Sequence, residues 1–394
     1  MKLGLVVPGG FDPSGRAGTI PALLALTEAL GQGHDVRVLA TAGRSGAGRY
    51  RVAAADVTQL DLQDDSRDAA GLAGWARRGA RLARLAAAVE GWMTAAGPFD
   101  VVHAFWADRT ALLAALAARR RSTPFVVSVG GGECVWLPDI GYGGAGTTAG
   151  RLVPRAVLGL ARATTAGSEF VRGLLPATAG TRAEVVPLGV DTARFAPPPA
   201  RLAGPPWRLI HVASLNPVKD QRTLLQAFRR VVDRLGGVEL DIVGEDRLDG
   251  EVQRLARALG LGGRVVFHGF LAQEDLAARY RAAHLHVLSS RHESQGVVVL
   301  EAAAAGLPTV GTAVGLLPAL APGAARVVPP NDAVALGDAI CALLLDRAGR
   351  EVMGEAAQRF AQAHDAAWTA RTFEAIYARV TRSAGTSAGR GRTS

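Results

Sequence analysis

Short apolar runs recur along the chain, and each is followed by a glycine-marked turn and then by residues at helical spacing. The first run, residues 2–7, leads into the loop Pro8-Gly9-Gly10-Phe11-Asp12-Pro13-Ser14-Gly15-Arg16 and a helix predicted over 20–30. Further runs at 33–39, 99–106, 124–129, 207–213, 240–244, 265–270, 284–288, 309–312 and 326–328 read as strands, and 284–288 is short and largely apolar. That is the pattern of parallel strands buried on both faces. Between them lie amphipathic stretches; the clearest carries Leu224, Leu225, Phe228, Val231, Val232 and Leu235 on one stripe. Residues 351–380 read as helix, anchored by Trp368, Phe373, Ile376 and Tyr377. Strands alternating with helices predict an α/β chain built on doubly wound parallel sheets. Residues 41–70 are polar and irregular, and no element is predicted there.

A length of 394 residues implies two or three domains, and a hydrophobic content of 49% supplies a core for each. Pro197-Pro198-Pro199 and Gly204-Pro205-Pro206 mark a stiff linker between them. Cys134 and Cys341 are the only cysteines, so no disulfide framework follows and a reducing compartment is expected. The apolar run at the amino end is too short for a signal peptide, and no stretch approaches the roughly 18 apolar residues of a membrane span. A cytoplasmic protein is expected, soluble or held at the inner face of the membrane. The formal net charge of +9 is carried almost wholly by Arg, since Lys2 and Lys219 are the two lysines. Neither aromatic-basic interleaving nor zinc-ligand spacing accompanies it, which argues against nucleic acid as a partner. A helix over 75–93 sets Arg77, Arg78, Arg81 and Arg84 beside Trp75, Leu82, Leu85 and Val89. Such a helix either packs on the core with a solvated basic face or lies on anionic lipid. The segment 381–394 is small, polar and basic, and disorder is expected.

The densest chemistry lies between His284 and Pro308. An apolar strand, the polar loop Ser289-Ser290-Arg291-His292-Glu293-Ser294-Gln295-Gly296, and a helix ended by Gly306 follow in turn. A strand, a glycine turn and a helix N-terminus form an anion site, because free N–H groups and the positive dipole end meet there. Glu293 and Glu301 flank it, and carboxylates beside a phosphate serve best as acceptors for sugar and ribose hydroxyls. Lys219 stands just before the striped helix, where its ammonium can reach a diphosphate at the strand ends. His103 sits at the carboxyl end of its strand, which faces the ligand crevice in such sheets.

Glu293 and Glu301 are separated by seven residues with Gly296 third after the first, and this resembles the E-x7-E element of retaining glycosyltransferases of family 4. The run Pro187-Leu188-Gly189-Val190-Asp191-Thr192-Ala193-Arg194-Phe195-Ala196-Pro197 matches the family's junction motif at all defined positions. Asp100-Val101-Val102-His103 and Lys219 are also similar to family members. The resemblance covers about residues 1–380 and implies the GT-B fold: two Rossmann-like domains facing each other across a cleft, with the last helix returning to the first domain. The bounds that follow are an acceptor-binding domain of residues 1–195 completed by helix 362–380, a donor-binding domain of 200–361, and a disordered tail of 381–394. The implied reaction moves a hexosyl group from a UDP-, GDP- or other nucleoside-diphosphate sugar to a glycan, lipid-linked or small-molecule acceptor hydroxyl, with retention and with no metal or other cofactor. By the same resemblance, Ser214, Lys219, Gly269, Arg291, Glu293, Gly296, Val297, Val298 and Glu301 hold the donor. Gly9, Gly10, His103, Gly131 and Glu133 face the acceptor, and Lys219, Glu293 and His103 serve catalysis. Two features depart from the family. Ser214 stands near the expected Arg, and Gly130-Gly131-Gly132 stand where many members carry a His. The same fold also admits a sugar-nucleotide epimerase or a phosphorylase, and the two departures add weight to a third alternative, a non-catalytic binding subunit.

Overall fold

The first sheet joins β1 (Lys2–Val7), β2 (Asp35–Ala40), β3 (Gly48–Val52), β4 (Ala55–Gln59), β5 (Val101–Phe105), β6 (Phe125–Val129), β7 (Ala163–Ala166) and β8 (Glu184–Val185) in the order β3-β4-β2-β1-β5-β6-β7-β8. The coordinates are a computed structural model that describes residues 1–9, 11–12, 19–41, 47–60, 71–198, 200–201 and 204–389. All pairings are parallel except β3 with β4. That antiparallel hairpin falls where the sequence predicts no element. Its turn at Ala53, φ +50°, is not one of the glycine or asparagine turns that announce a hairpin.

Because successive strand residues point to opposite faces, the first sheet has two cores. Leu3, Leu5, Val101 and Phe105 pack on one face with Phe373, Ile376 and Tyr377 of the Ala366–Gly389 helix. Val6, Val102 and Ala104 pack on the other with Trp92 and the alanines of the Arg109–Arg120 helix. The last helix of the chain thus belongs to the first lobe's core. It continues to Gly389 where disorder is expected from Thr381, with Thr381 Oγ1 donating to Tyr377 O at 2.9 Å. Extending a helix that is already nucleated costs far less than starting one. The Gly71–Ala96 helix takes the core-facing form at Leu85, Val89, Trp92 and Met93, and leaves Arg77, Leu82 and Arg84 exposed.

The second sheet is wholly parallel: β9 (Trp207–Val212), β10 (Val238–Val243), β11 (Val265–Gly269), β12 (Leu285–Leu288), β13 (Thr309–Thr312) and β14 (Ala325–Val328), in the order β11-β10-β9-β12-β13-β14. This is the 3-2-1-4-5-6 winding, which the first sheet repeats as β4-β2-β1-β5-β6-β7. Val190 and Phe195 pack into the second lobe with Tyr280 and Leu300. The linker also holds an unforeseen clamp. The Arg201 guanidinium donates to the carbonyls of Tyr280 and Arg281 at 3.1 Å, of Ala283 at 2.6 Å, and of Ala305. Among the described residues no helix is long and apolar enough to cross a membrane.

Candidate active site

In a 3-2-1-4-5-6 sheet the loops after the first and fourth strands leave in opposite directions, and a crevice opens between them. Here those loops follow β9 and β12. After β9 the chain makes a short turn, Pro217–Lys219, and Asp220 caps the Gln221–Leu235 helix by accepting from Thr223 N at 3.1 Å. After β12 the polar loop ends at Gly296, whose φ of +76° starts the Val297–Ala304 helix. The two loops are joined across the crevice. Arg291 N donates to Val218 O, and Ser289 Oγ to Lys219 O, both at 2.8 Å.

This pairing brings Lys219 and Glu293 together, 74 residues apart in sequence, with Nζ 2.6 Å from Oε1. Ser290 Oγ donates to the same oxygen at 2.6 Å. The Glu293 side chain is 9% exposed and that of Lys219 23%, so the pair faces solvent through the ammonium. Beside it the first amides of the 297–304 helix have no helical partner. An ammonium and a cluster of free N–H groups at one helix tip can hold a diphosphate.

One turn further, Glu301 lies on the wall of a cavity of about 560 Å³ between the lobes. Thr19, Pro21 and Val52 border it from the first lobe, and Arg194, Phe270 and Gln273 from the second. Gly269, with φ +65°, ends β11 and leads the chain to Phe270 on this wall. Glu301 itself is 4% exposed, and burial pushes its carboxyl up to about 7 despite the bond from the Tyr280 hydroxyl.

The loop between Ser290 and Gly296 also fastens the lobes. Arg291 and Asp139 form a two-point ion pair, with Nη2–Oδ1 at 3.0 Å. Ser294 Oγ donates to Gly130 O, Ser168 Oγ to Ser294 O at 2.6 Å, and Gln295 exchanges two hydrogen bonds with the Leu188 backbone at 2.7 and 2.8 Å. The His292 ring lies between Tyr142 and Phe170, with centroids 5.7 and 5.6 Å away. Sequence reasoning missed this seam. Ser168 reads in sequence only as the N-cap that it is, accepting from Val171 N at 3.2 Å, and Ser294, Gln295 and Tyr142 carry no motif; only positions in space give these residues their partners across the seam.

The remaining expected site residues differ in where they sit, and His103 is the one that lies away from the cleft. His103 lies in the middle of β5 and shares its face with Val101 and Phe105, so it points into the core beneath the last helix. It is 1% exposed, with Nδ1 2.8 Å from Tyr377 Oη and Nε2 2.8 Å from Ser128 Oγ, and burial drives its basicity down to about 3. Its ring is closed off from the cleft. Replacing His103 by Ala should cost about 2–4 kcal/mol of stability through a cavity and unpaired hydroxyls while leaving turnover within threefold. Chemical denaturation beside a steady-state assay reads both.

Glu133 braces a turn through one oxygen: Oε1 accepts from Ala107 N and Gly130 N, each at 3.0 Å, while Oε2 is buried with no hydrogen-bond partner among the described residues. Gly131 belongs to the seam, because a Cβ there would stand 2.7 Å from Val171 Cγ2 and 3.2 Å from His292 Nε2. Arg291 spans the lobes to Asp139 instead of standing free beside the helix tip. Ser214 uses its carbonyl to accept from Gln221 Nε2 at 3.2 Å and supplies no second cation. Gly9 follows β1 at its carboxyl end, and Gly10 lies outside the described residues.

Residues 206–346 match the family model for glycosyl transferases group 1, and residues 17–189 match that for a glycosyl transferase 4-like domain. A GDP-mannose-dependent alpha-(1-6)-phosphatidylinositol monomannoside mannosyltransferase of Mycolicibacterium smegmatis is 30% identical over 272 residues, which is 64% of this chain and 69% of that one. A D-inositol 3-phosphate glycosyltransferase of Geodermatophilus obscurus is 35% identical over 224 residues, 52% of this chain and 48% of its own. Among solved structures, sucrose-phosphate synthase of Thermosynechococcus elongatus superposes with a TM-score of 0.75 at 19% identity, covering 97% of this chain and 99% of that one. Anabaena HepE in complex with UDP and glucose gives 0.71 at 18%, covering 96% and 100%.

Proposed function

The chain belongs to the group 1 glycosyltransferases, GT-B enzymes that use nucleotide sugars, and on that premise we propose a retaining transferase of family 4 that moves a hexosyl group to an acceptor hydroxyl. The observation that carries this reading is the 2.6 Å pair of Lys219 and Glu293 at the tip of the Val297–Ala304 helix. The donor lies along the second lobe. Its base rests against Gly269 and Phe270, its ribose on Glu301, its diphosphate on Gly296 to Val298, and its sugar on Glu293. As the glycosidic bond breaks, negative charge grows on the diphosphate, and amides already aimed at that place stabilise it without reorganising. Lys219 leaves Glu293 for the diphosphate, and the freed carboxylate accepts from sugar hydroxyls as the ring becomes oxocarbenium-like. These amides and the ammonium take the role that a cation fills elsewhere, so no metal is needed.

The 30% relative is GDP-mannose-dependent by name, which makes GDP-mannose the first donor to test. The acceptor reaches the cleft from the first lobe, and the exposed Arg77, Leu82 and Arg84 offer anionic headgroups a surface if that acceptor is lipid-linked. Incubation with GDP-mannose or UDP-glucose should release nucleoside diphosphate slowly by itself and faster with acceptor, and proton NMR of the product should show the donor's anomeric configuration. Inversion would remove the retaining assignment. Absence of binding by any nucleoside-diphosphate sugar would remove the transferase.

A further inference from the structure

Tyr280 lies near the end of the Gln273–Ala282 helix, fully buried, with its ring edge-on to Phe195 and His286 at 5.8 and 6.0 Å. Its hydroxyl stands 3.0 Å from Glu301 Oε2 and 3.3 Å from Val298 O. With one proton to give, the shorter contact to the acidic group is the stronger.

We propose that Tyr280 is the positioning residue of the donor site: it holds the Glu301 carboxylate in place for the ribose hydroxyls and so sets the preference for a ribonucleotide over a deoxyribonucleotide. This rests on the reading above that the cavity takes the nucleoside. A glutamate side chain has three rotatable bonds, and a free one would lose that freedom each time a donor bound. Here one oxygen is already tied before the ligand arrives. The support behind it is rigid as well. Arg201 holds the carbonyls of Tyr280 and Ala305, the turns that end the helices carrying the two side chains. The tyrosine hydroxyl also opposes the burial that raises the Glu301 carboxyl, which favours the charged form and with it the better acceptor. The bond from Tyr280 spans 21 positions, from one helix to another, and neither residue's sequence neighbours imply it.

The test is calorimetric binding of GDP and UDP, each beside its 2′,3′-dideoxy counterpart, to the full chain. The proteins compared are the wild type, Tyr280→Phe, Glu301→Gln and the double variant. The wild type should favour the ribonucleotides, and Tyr280→Phe should shrink that preference roughly tenfold, as the loss of one charge-assisted hydrogen bond predicts. Dideoxy affinity should stay unchanged, and the double variant should lose no more preference than the worse single one, because both act through one carboxylate. Equal weakening of ribo and dideoxy ligands, or an unaltered preference, would show that Tyr280 only packs, with the donor reading left standing. If neither GDP nor UDP binds the wild type, the donor reading falls and takes this inference with it. Removing one hydroxyl leaves the ring in place, and a thermal unfolding curve for Tyr280→Phe confirms the fold in the same samples.

Discussion

Replacing Lys219 by alanine will lower transfer about a hundredfold or more while the chain stays folded, the size seen when one prearranged donor to a developing oxyanion is removed. Lys219 is the cation beside the amides of Gly296 to Val298, and its ammonium is partly open to solvent, so its removal creates no cavity. The residue left behind is Glu293. Its carboxylate keeps the hydrogen bond from Ser290 Oγ at 2.6 Å and retains one partner. The loss should therefore appear in the chemical step as well as in donor binding, since the charge that Lys219 meets is largest in the transition state. Lys219→Arg should recover only part of the rate, because a planar fork does not replace a point charge at a fixed distance. Initial rates of nucleotide release at saturating donor, set beside thermal unfolding, measure both sides. Activity of Lys219→Ala within threefold of wild type would remove this ammonium from the mechanism.

A valine at Gly315 should abolish donor binding by displacing the loop from below. Gly315 has φ +60°, where a β-branched residue is strained by itself. A Cβ there would stand 2.6 Å from Gln295 O and 2.9 Å from Glu293 Cβ. Both contacts lie inside van der Waals separation, and the first is to backbone, which cannot swing aside. The next residue ties the loop down through Leu316 N to Gln295 O at 2.9 Å, so the insertion acts on the segment that carries Glu293 and Gly296. Strain and overpacking together cost about 3 kcal/mol. Most of it is relieved by moving the loop, and nucleotide affinity should fall by at least about a hundredfold. Titration with GDP or UDP and a denaturant midpoint separate loop displacement from global unfolding. A variant that binds nucleotide normally would mean that the loop does not carry the diphosphate.

The helix tip and the two glutamates could be read in advance because their signals are local. Gly296 at a strand-to-helix turn and Glu301 one turn later need only the geometry of one βα unit. His103 shows the limit. Its place after an apolar run suggested a strand end, but β5 continues through Phe105, and alternation turns His103 to the face covered by Phe373 and Tyr377. Those residues lie some 270 positions away, on a helix that the resemblance brought back to the first lobe without saying which side chains it would cover. Glu133 and Arg291 take partners that were not legible: Glu133 accepts from its near neighbour Gly130 and from Ala107, 26 positions back, and Arg291 pairs with Asp139, 152 positions away.

The amino-acid sequence by itself determined the α/β character, the doubly wound pattern of short buried strands and the glycine turn before the Val297–Ala304 helix, since periodicity and turn chemistry act between near neighbours. Only the tertiary structure decided which groups meet: Lys219 with Glu293, Tyr280 with Glu301, Arg291 with Asp139, and His103 with the core instead of the cleft. Such pairings depend on how separate elements pack, and packing is settled by the shape and burial of the whole chain at once.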